Sequence, residues 1–206
     1  MKVGLYFGTY NPIHVGHLII GNYMANYTDL DEVWFVVSPQ NPLKTRNSLL
    51  EDYHRLAMVR VAIENNPKLK ASDIEFTMPK PSYTSDTLIY LHEKFPTHEF
   101  SLIMGEDNLR TLHKWKNYEE ILANHTIYVY PRALTEQERE DVSLNNQKDL
   151  LLFKHANIKI CDAPVMKLSS SFIRKAIADK KDIQYLLTEP VYNYLSEMNF
   201  YKKTKG

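Results

Sequence analysis

Two histidines near the N-terminus have the type and spacing to bind phosphate. His14 and His17 lie three residues apart in the segment Gly8-Thr9-Tyr10-Asn11-Pro12-Ile13-His14-Val15-Gly16-His17, which runs into a helical pattern beginning at Leu18. Residues three apart share one face of a helix. Imidazole N–H donors beside the positive end of a helix form a site for phosphate oxygens. The segment therefore predicts a phosphate-binding turn.

The residues around the two histidines favour this interpretation over two others. A bare His-x-x-His pair is more often structural, and two histidines on one face can also ligate zinc. No acidic or cysteine partner stands nearby at ligand spacing, so we predict no protein-held metal. Gly8 allows close approach of a ligand, Pro12 stiffens the turn and Gly16 leaves space beside the helix start.

A serine-rich segment near the C-terminus could hold a polyphosphate. In Lys167-Leu168-Ser169-Ser170-Ser171-Phe172-Ile173-Arg174, a serine at the N-cap would begin a helix, and Arg174 would lie one turn inside it. Hydroxyls, amide groups and a guanidinium there would bind phosphate oxygens. Ordinary capping explains the serines equally well. The buried stripe of this helix is predicted to contain Phe172, Ile173, Ala176 and Ile177.

Short apolar runs predict the strands that position these motifs. They are Val3–Phe7, Val33–Val37, Phe100–Met104, Ile127–Tyr130 and Ile158–Cys161. Most are unbroken, as in strands covered on both faces, and helical patterns at spacings of three and four lie between them. The alternation predicts a Rossmann-like, doubly wound α/β fold with a mostly parallel sheet and helices on both faces. Such sheets bind ligands beyond the carboxyl ends of their strands.

Composition limits the possible partners. A chain of 206 residues with 44% apolar content fits a single domain over residues 1–206. Its 25 basic and 25 acidic side chains leave no net field for nucleic acid or an anionic membrane. No run resembles a signal peptide or a membrane span, so we expect a cytoplasmic protein. A homo-oligomer remains possible.

The two motifs together resemble the signatures of the nucleotidyltransferase superfamily. These are a Gly-x-Phe-x-Pro-x-His-x-Gly-His loop and an Ile-Ser-Ser-Thr-x-Ile-Arg segment, which stand here as Gly8–His17 and Leu168–Arg174. The family often has Phe-Asp where this chain has Tyr10-Asn11. Ser171 replaces the usual threonine and retains its hydroxyl.

Further segments resemble the nicotinate-nucleotide adenylyltransferase family in particular. Pro81–Leu88 is similar to its Pro-Ser-Tyr-Thr-x-x-Thr-Leu segment, and Pro39–Lys44 to its Pro-Pro-His-Lys segment with leucine for histidine. Gly105–Asp107 and the later Trp115 are similar to its Gly-x-Asp and tryptophan. Pro131-Arg132-Ala133 departs from its Arg-Pro-Gly, so no role is assigned to that arginine.

This resemblance implies transfer of the adenylyl group of ATP to nicotinate mononucleotide, giving deamido-NAD and pyrophosphate, with Mg²⁺ accompanying ATP. The catalytic residues would be His14, His17 and Arg174. The ATP-binding residues would be Gly8, Thr9, Gly105, Asp107, Ser170, Ser171 and Ile173. The mononucleotide-binding residues would be Lys44, Tyr83, Thr84 and Trp115.

Several alternatives stay open. Without the resemblance, Trp115 is interpreted as an amphipathic surface residue, Thr84 as a helix cap and Lys44 as a solvated side chain. The acceptor could instead be nicotinamide mononucleotide or phosphopantetheine. A zinc hydrolase and a non-catalytic nucleotide-binding regulator are the interpretations from other classes. A regulator that had lost catalysis would be expected to lack His14, His17 or Arg174, and all three are present.

Overall fold

The sheet has six strands in a computed structural model that describes residues 1–39, 49–131 and 156–202. The strands are Lys2–Gly8 (β1), Glu32–Val37 (β2), Leu69–Ser72 (β3), Glu99–Gly105 (β4), Ile127–Tyr130 (β5) and Ile158–Ile160 (β6). Their order is β3-β2-β1-β4-β5-β6, and every neighbouring pair is parallel. The predicted doubly wound α/β fold is confirmed. That residues 1–206 form one domain stays a prediction.

Helices cover both faces of this sheet. They are Val15–Tyr27 (α1), Asp52–Ile63 (α2), Thr84–Lys94 (α3), Glu106–Thr111 (α4), Tyr118–Asn124 (α5), Ser170–Ala178 (α6) and Glu189–Glu197 (α7). Short 3₁₀ turns occupy Ile74–Thr77, Leu112–Lys114 and Gln184–Leu186. Side chains of β1 alternate between two cores, since Tyr6 packs with α1, α2, α6 and α7, whereas Leu5 packs with α3 and α5. In the described part of the chain, no helix has the length and apolar character to span a membrane.

Two details differ from the sequence-based predictions. The apolar runs did not include β3, in which only Leu69 is buried, because a four-residue edge strand needs little apolar content. The predicted burial of Phe172 is wrong, since 57% of this residue is exposed. α6 buries the narrow face that carries Ile173 and Ala176, and Phe172 lies outside that face in the first turn.

The strand order defines a crevice at the carboxyl ends of β1 and β4. The chain proceeds from β1 to β2 and β3 on one side, and from β4 to β5 and β6 on the other. The register pairs Tyr6 with Ile103, so β1 and β4 end side by side at Gly8 and Gly105. Ligands of open parallel sheets bind at such a switch point.

Candidate active site

The two histidines of the first loop lie against each other at the start of α1. His14 is the N-cap residue, and its ring stacks on that of His17 with 3.8 Å between the ring centres. The backbone amide of His14 donates to Nδ1 of His17 at 3.3 Å. A neutral ring that accepts through Nδ1 carries its proton on Nε2. A Cβ on Gly16 would lie 3.1 Å from the His14 ring, so any larger residue there would push against the stacked histidines.

His14 is buried and electrically neutral at physiological pH. Only 5% of the residue is exposed, and burial lowers the pKa of its imidazole to about 4. Its Nδ1 has no hydrogen-bond partner on another residue among those described. An unsatisfied buried polar atom costs about 1–3 kcal/mol, so one that is retained in a fold often has a functional role. A phosphate oxygen is the partner that the loop sequence predicts for this pair of rings.

Aromatic rings form the floor beneath His17. Tyr10 contacts the His17 ring edge to face at 5.1 Å, and its hydroxyl donates to the carbonyl of Tyr6. Tyr6 lies 6.2 Å from the His17 ring, and its hydroxyl is 3.1 Å from that of Tyr130 on β5. Because Tyr10 is itself buried, this floor holds the loop on the end of the sheet.

The C-terminal motif makes direct hydrogen bonds to this loop. Nη1 of Arg174 donates to the carbonyl of Asn11 at 2.8 Å, and the hydroxyl of Ser170 donates to the carbonyl of Pro12 at 2.8 Å. Nη2 of Arg174 donates to the hydroxyl oxygen of Ser171 at 3.1 Å. Two segments about 160 residues apart in sequence thus form one surface of hydroxyl, guanidinium and imidazole groups.

The start of α6 agrees with its predicted capping. The hydroxyl oxygen of Ser169 accepts from the amide of Phe172 at 3.2 Å, which confirms a serine N-cap. Ile173 has a fully buried side chain, and its amide donates to the carbonyl of Ser169. Its contact with ATP stays a prediction.

Asn11 joins three parts of the chain at the same loop. Its side-chain oxygen accepts from the amide of Leu50 at 3.2 Å and from the hydroxyl of Tyr201 at 2.5 Å, while its carbonyl accepts from Arg174. Burial raises the pKa of Tyr201, so this phenol remains a donor. The loop is therefore braced from both the α2 side and the C-terminal segment.

A buried arginine that the sequence analysis did not select braces the ends of β1 and β2. Arg55 is fully buried and donates to the carbonyls of Thr9 at 2.6 Å and Ser38 at 2.8 Å. It also donates to the carbonyls of Leu50 and Pro39 and to the carboxylate of Asp52 at 2.5 Å. Its position four residues before Val59, within the apolar stripe of α2, is the sequence signal that could have revealed it.

The end of β4 places a carboxylate at the crevice. Gly105 is the N-cap of α4, and Asp107 lies in the first turn. A Cβ on Gly105 would lie 2.5 Å from Oδ1 of Asp107 and 3.3 Å from the Tyr130 ring, so a larger residue there would displace the Asp107 carboxylate. The predicted ATP-binding residues at Gly8, Thr9 and Gly105 therefore meet at one edge of the sheet.

The predicted mononucleotide residues meet on the other side of β4. Tyr83 is the N-cap of α3, and Thr84 is its first helical residue, so the cap is not Thr84. Trp115 is half-buried and follows the 3₁₀ turn after α4. Its neighbour Lys116 bonds the carboxylate of Asp86 at 2.9 and 3.0 Å and lies 4.9 Å from the Tyr83 ring. The loop that carries Trp115 thus contacts the start of α3. Lys44 lies outside the described residues.

Comparison with known proteins first identifies the class. Residues 5–176 match the model of the cytidylyltransferase-like family, which covers both motifs up to α6. The chain is a nucleotidyltransferase.

More similar relatives identify the particular family. Two proteins named "probable nicotinate-nucleotide adenylyltransferase", from Flavobacterium psychrophilum and Flavobacterium johnsoniae, are 57% and 58% identical over 98% of this chain and 100% of their own length. The chain belongs to the nicotinate-nucleotide adenylyltransferase family. A Plasmodium falciparum nicotinic acid mononucleotide adenylyltransferase complexed with NaAD has the same fold, with a TM-score of 0.76, 21% identity and 97% of each chain covered.

Proposed function

We propose that this protein transfers the adenylyl group of ATP to nicotinate mononucleotide, releasing pyrophosphate and forming deamido-NAD for NAD biosynthesis in the cytoplasm. The observation that carries the proposal is the pair of hydrogen bonds between the two motifs, from Arg174 to the carbonyl of Asn11 and from Ser170 to the carbonyl of Pro12. These two hydrogen bonds join the segment that carries the guanidinium and the hydroxyls to the loop that carries the stacked histidines. This arrangement supports a triphosphate site shared by the two motifs.

The chemistry requires orientation and charge stabilisation more than proton transfer. An oxygen of the mononucleotide phosphate attacks the α-phosphorus of ATP, the bond from that phosphorus to the bridging oxygen breaks, and pyrophosphate leaves with the electron pair. The nucleophile is already an anion at neutral pH, so no general base is needed. His14 and His17 would donate N–H groups to the phosphates, and Arg174 would neutralise charge on the leaving group.

Mg²⁺ would enter bound to the triphosphate. Among residues 1–39, 49–131 and 156–202, no three His, Cys, Asp or Glu side chains are grouped to hold a metal ion. Mg²⁺ in such sites usually takes its ligands mainly from phosphate oxygens and water, so the triphosphate itself would supply most of them. When bound, the ion would supply charge neutralisation at the phosphates.

The second substrate would bind between α3 and the loop of Trp115. The indole would stack on the pyridine ring, and amide groups at Tyr83 and Thr84 would receive its carboxylate. Asp107, at the end of β4, would bind the adenosine ribose. The contact of Lys116 with Asp86 and the Tyr83 ring supports this arrangement, because it joins the loop that carries Trp115 to the start of α3. A role for Lys44 at the mononucleotide phosphate remains a sequence-based proposal.

The experiment is an assay of pyrophosphate release and dinucleotide formation with ATP, Mg²⁺ and either nicotinate or nicotinamide mononucleotide. We expect faster turnover with nicotinate. A preference for nicotinamide would retain the chemistry and refute the carboxylate site. If only phosphopantetheine gave a product, it would be the acceptor in place of a pyridine mononucleotide. If ATP bound and no product formed with any acceptor, the protein would be a non-catalytic nucleotide binder.

A further inference from the structure

A buried acidic side chain lies beneath the start of α3. Glu75, in the 3₁₀ turn after β3, is only 2% exposed. One of its carboxylate oxygens accepts from the hydroxyl of Ser82 at 3.0 Å, and the other accepts from the hydroxyl of Thr87 at 2.8 Å. A carboxylate this deeply buried is tolerated only when hydrogen bonds compensate for lost water. Both compensating groups come from one segment.

That segment is the one that leads into α3. Ser82 precedes Tyr83, and Thr87 follows it by one helical turn, with its hydroxyl also 3.2 Å from the Tyr83 carbonyl. The amides of Asp86 and Thr87 each donate to the same carbonyl at 3.0 Å. Glu75 therefore holds Ser82 before the Tyr83–Thr84 pair and Thr87 after it, and these two hydrogen bonds fix the direction of the first helical turn.

The amides of this turn are not used by a side-chain cap. Within the described residues, no side chain caps α3, whereas in α6 the hydroxyl of Ser169 accepts from the amide of Phe172. The hydroxyls of Ser82 and Thr87 lie close to the start of α3, but they donate hydrogen bonds to Glu75 instead of capping the helix. The first amide groups of a helix have no partner inside it, so they are available to a ligand anion.

The charges around this turn also suit an anion. Asp86, in the first turn, would repel a carboxylate, but Lys116 bonds it at 2.9 Å and offsets its charge. Both side chains are partly exposed, so this ion pair contributes only modestly in water.

We propose that Glu75 is a positioning residue that sets the specificity of the site for a pyridine carboxylate. It holds the start of α3 rigidly from below, so that uncapped amides face the carboxylate of the mononucleotide. This inference rests on the proposed function, because it needs the pyridine end to bind at Tyr83 and Thr84. It assigns Glu75 no contact with substrate and no effect on ATP.

The test uses isosteric substitutions within the network. Glu75→Gln keeps one acceptor but presents an amide N–H₂ to the other hydroxyl, and Thr87→Val removes that hydroxyl at constant shape. Each should raise the KM for nicotinate mononucleotide about five- to twentyfold, the effect of weakening one hydrogen bond to a charged group. The KM for ATP should change less than about twofold. Thr87→Ser, which keeps the hydroxyl, should restore most of the loss, and Glu93→Gln on the exposed side of α3 should have no effect.

Two further readouts separate positioning from general loosening. The ratio of kcat/KM for nicotinate over nicotinamide mononucleotide should fall in Glu75→Gln, because the amide end gains less from a helix N-terminus. An equal rise in both KM values, an unchanged ratio, or a Thr87→Ser variant as impaired as Thr87→Val would overturn the proposal. If wild-type protein neither binds nor uses a pyridine mononucleotide, the proposed function falls and this inference with it. If the wild-type protein turns over normally and the variants keep its KM values, the role of Glu75 is refuted while the proposed function stands.

Discussion

Replacing Arg55 by methionine should destabilise the fold and disorder the ends of β1 and β2 together. The change removes hydrogen bonds to the carbonyls of Thr9, Ser38, Leu50 and Pro39 and the ion pair with Asp52. Breaking a buried charge network by removing one partner costs about 3–5 kcal/mol. That is a large share of the roughly 5–15 kcal/mol that stabilises a typical protein.

Urea unfolding followed by circular dichroism would measure the loss. With an m-value of about 2 kcal/mol/M, a loss of about 4 kcal/mol lowers the midpoint by about 2 M. Arg60→Met is the matched control, because Arg60 is exposed and makes only a 3.5 Å contact with Asp73; an isolated surface pair contributes about 0–1 kcal/mol. If both variants unfold at similar urea concentrations, the bracing role assigned to Arg55 is wrong.

Three further predictions concern the site. His17→Ala should reduce turnover by orders of magnitude with an unchanged circular dichroism spectrum, and near-normal turnover would remove His17 from the chemistry. The pKa of His14 is lowered from 6.5 to about 4 in the fold. Between these two pH values the unfolded chain therefore binds a proton at His14 that the folded chain does not bind. The stability that neutral His14 contributes is complete above pH 6.5 and is lost as pH falls towards 4, by up to about 3 kcal/mol. Unfolding measured across this range should show a shallower decline in His14→Asn, and parallel curves would contradict the assignment. Lys116→Met should raise the KM for nicotinate mononucleotide a few fold by leaving Asp86 unpaired, and the added substitution Asp86→Asn should reverse this; a rise that persists in the double variant would show that charge is not the cause.

Local patterns in the sequence were sufficient for the architecture and for locating the two motifs that we propose bind phosphate. Unbroken apolar runs predicted five of the strands, and the alternation with helices predicted the parallel sheet, because both depend on short-range periodicity. The histidine spacing and the serine cap are likewise local features, and the structure confirms the cap at Ser169. β3 was missed for the corresponding reason, since its burial comes from its position beside β2 and not from an apolar run.

The tertiary structure alone decided how distant residues act on the site. Arg55 and Glu75 are ordinary charged residues in sequence. The apolar stripe around Arg55 could have indicated its burial, but no local pattern shows which carbonyls or hydroxyls will converge on either side chain. Phe172 satisfied the helical pattern, yet the neighbouring layers leave it exposed. The bonds from α6 to the first loop join residues about 160 positions apart. The sequence of this protein therefore determines which groups are present and on which element each lies, whereas the packing of the elements decides which groups meet, because burial and hydrogen-bond geometry depend on contacts that no local pattern encodes.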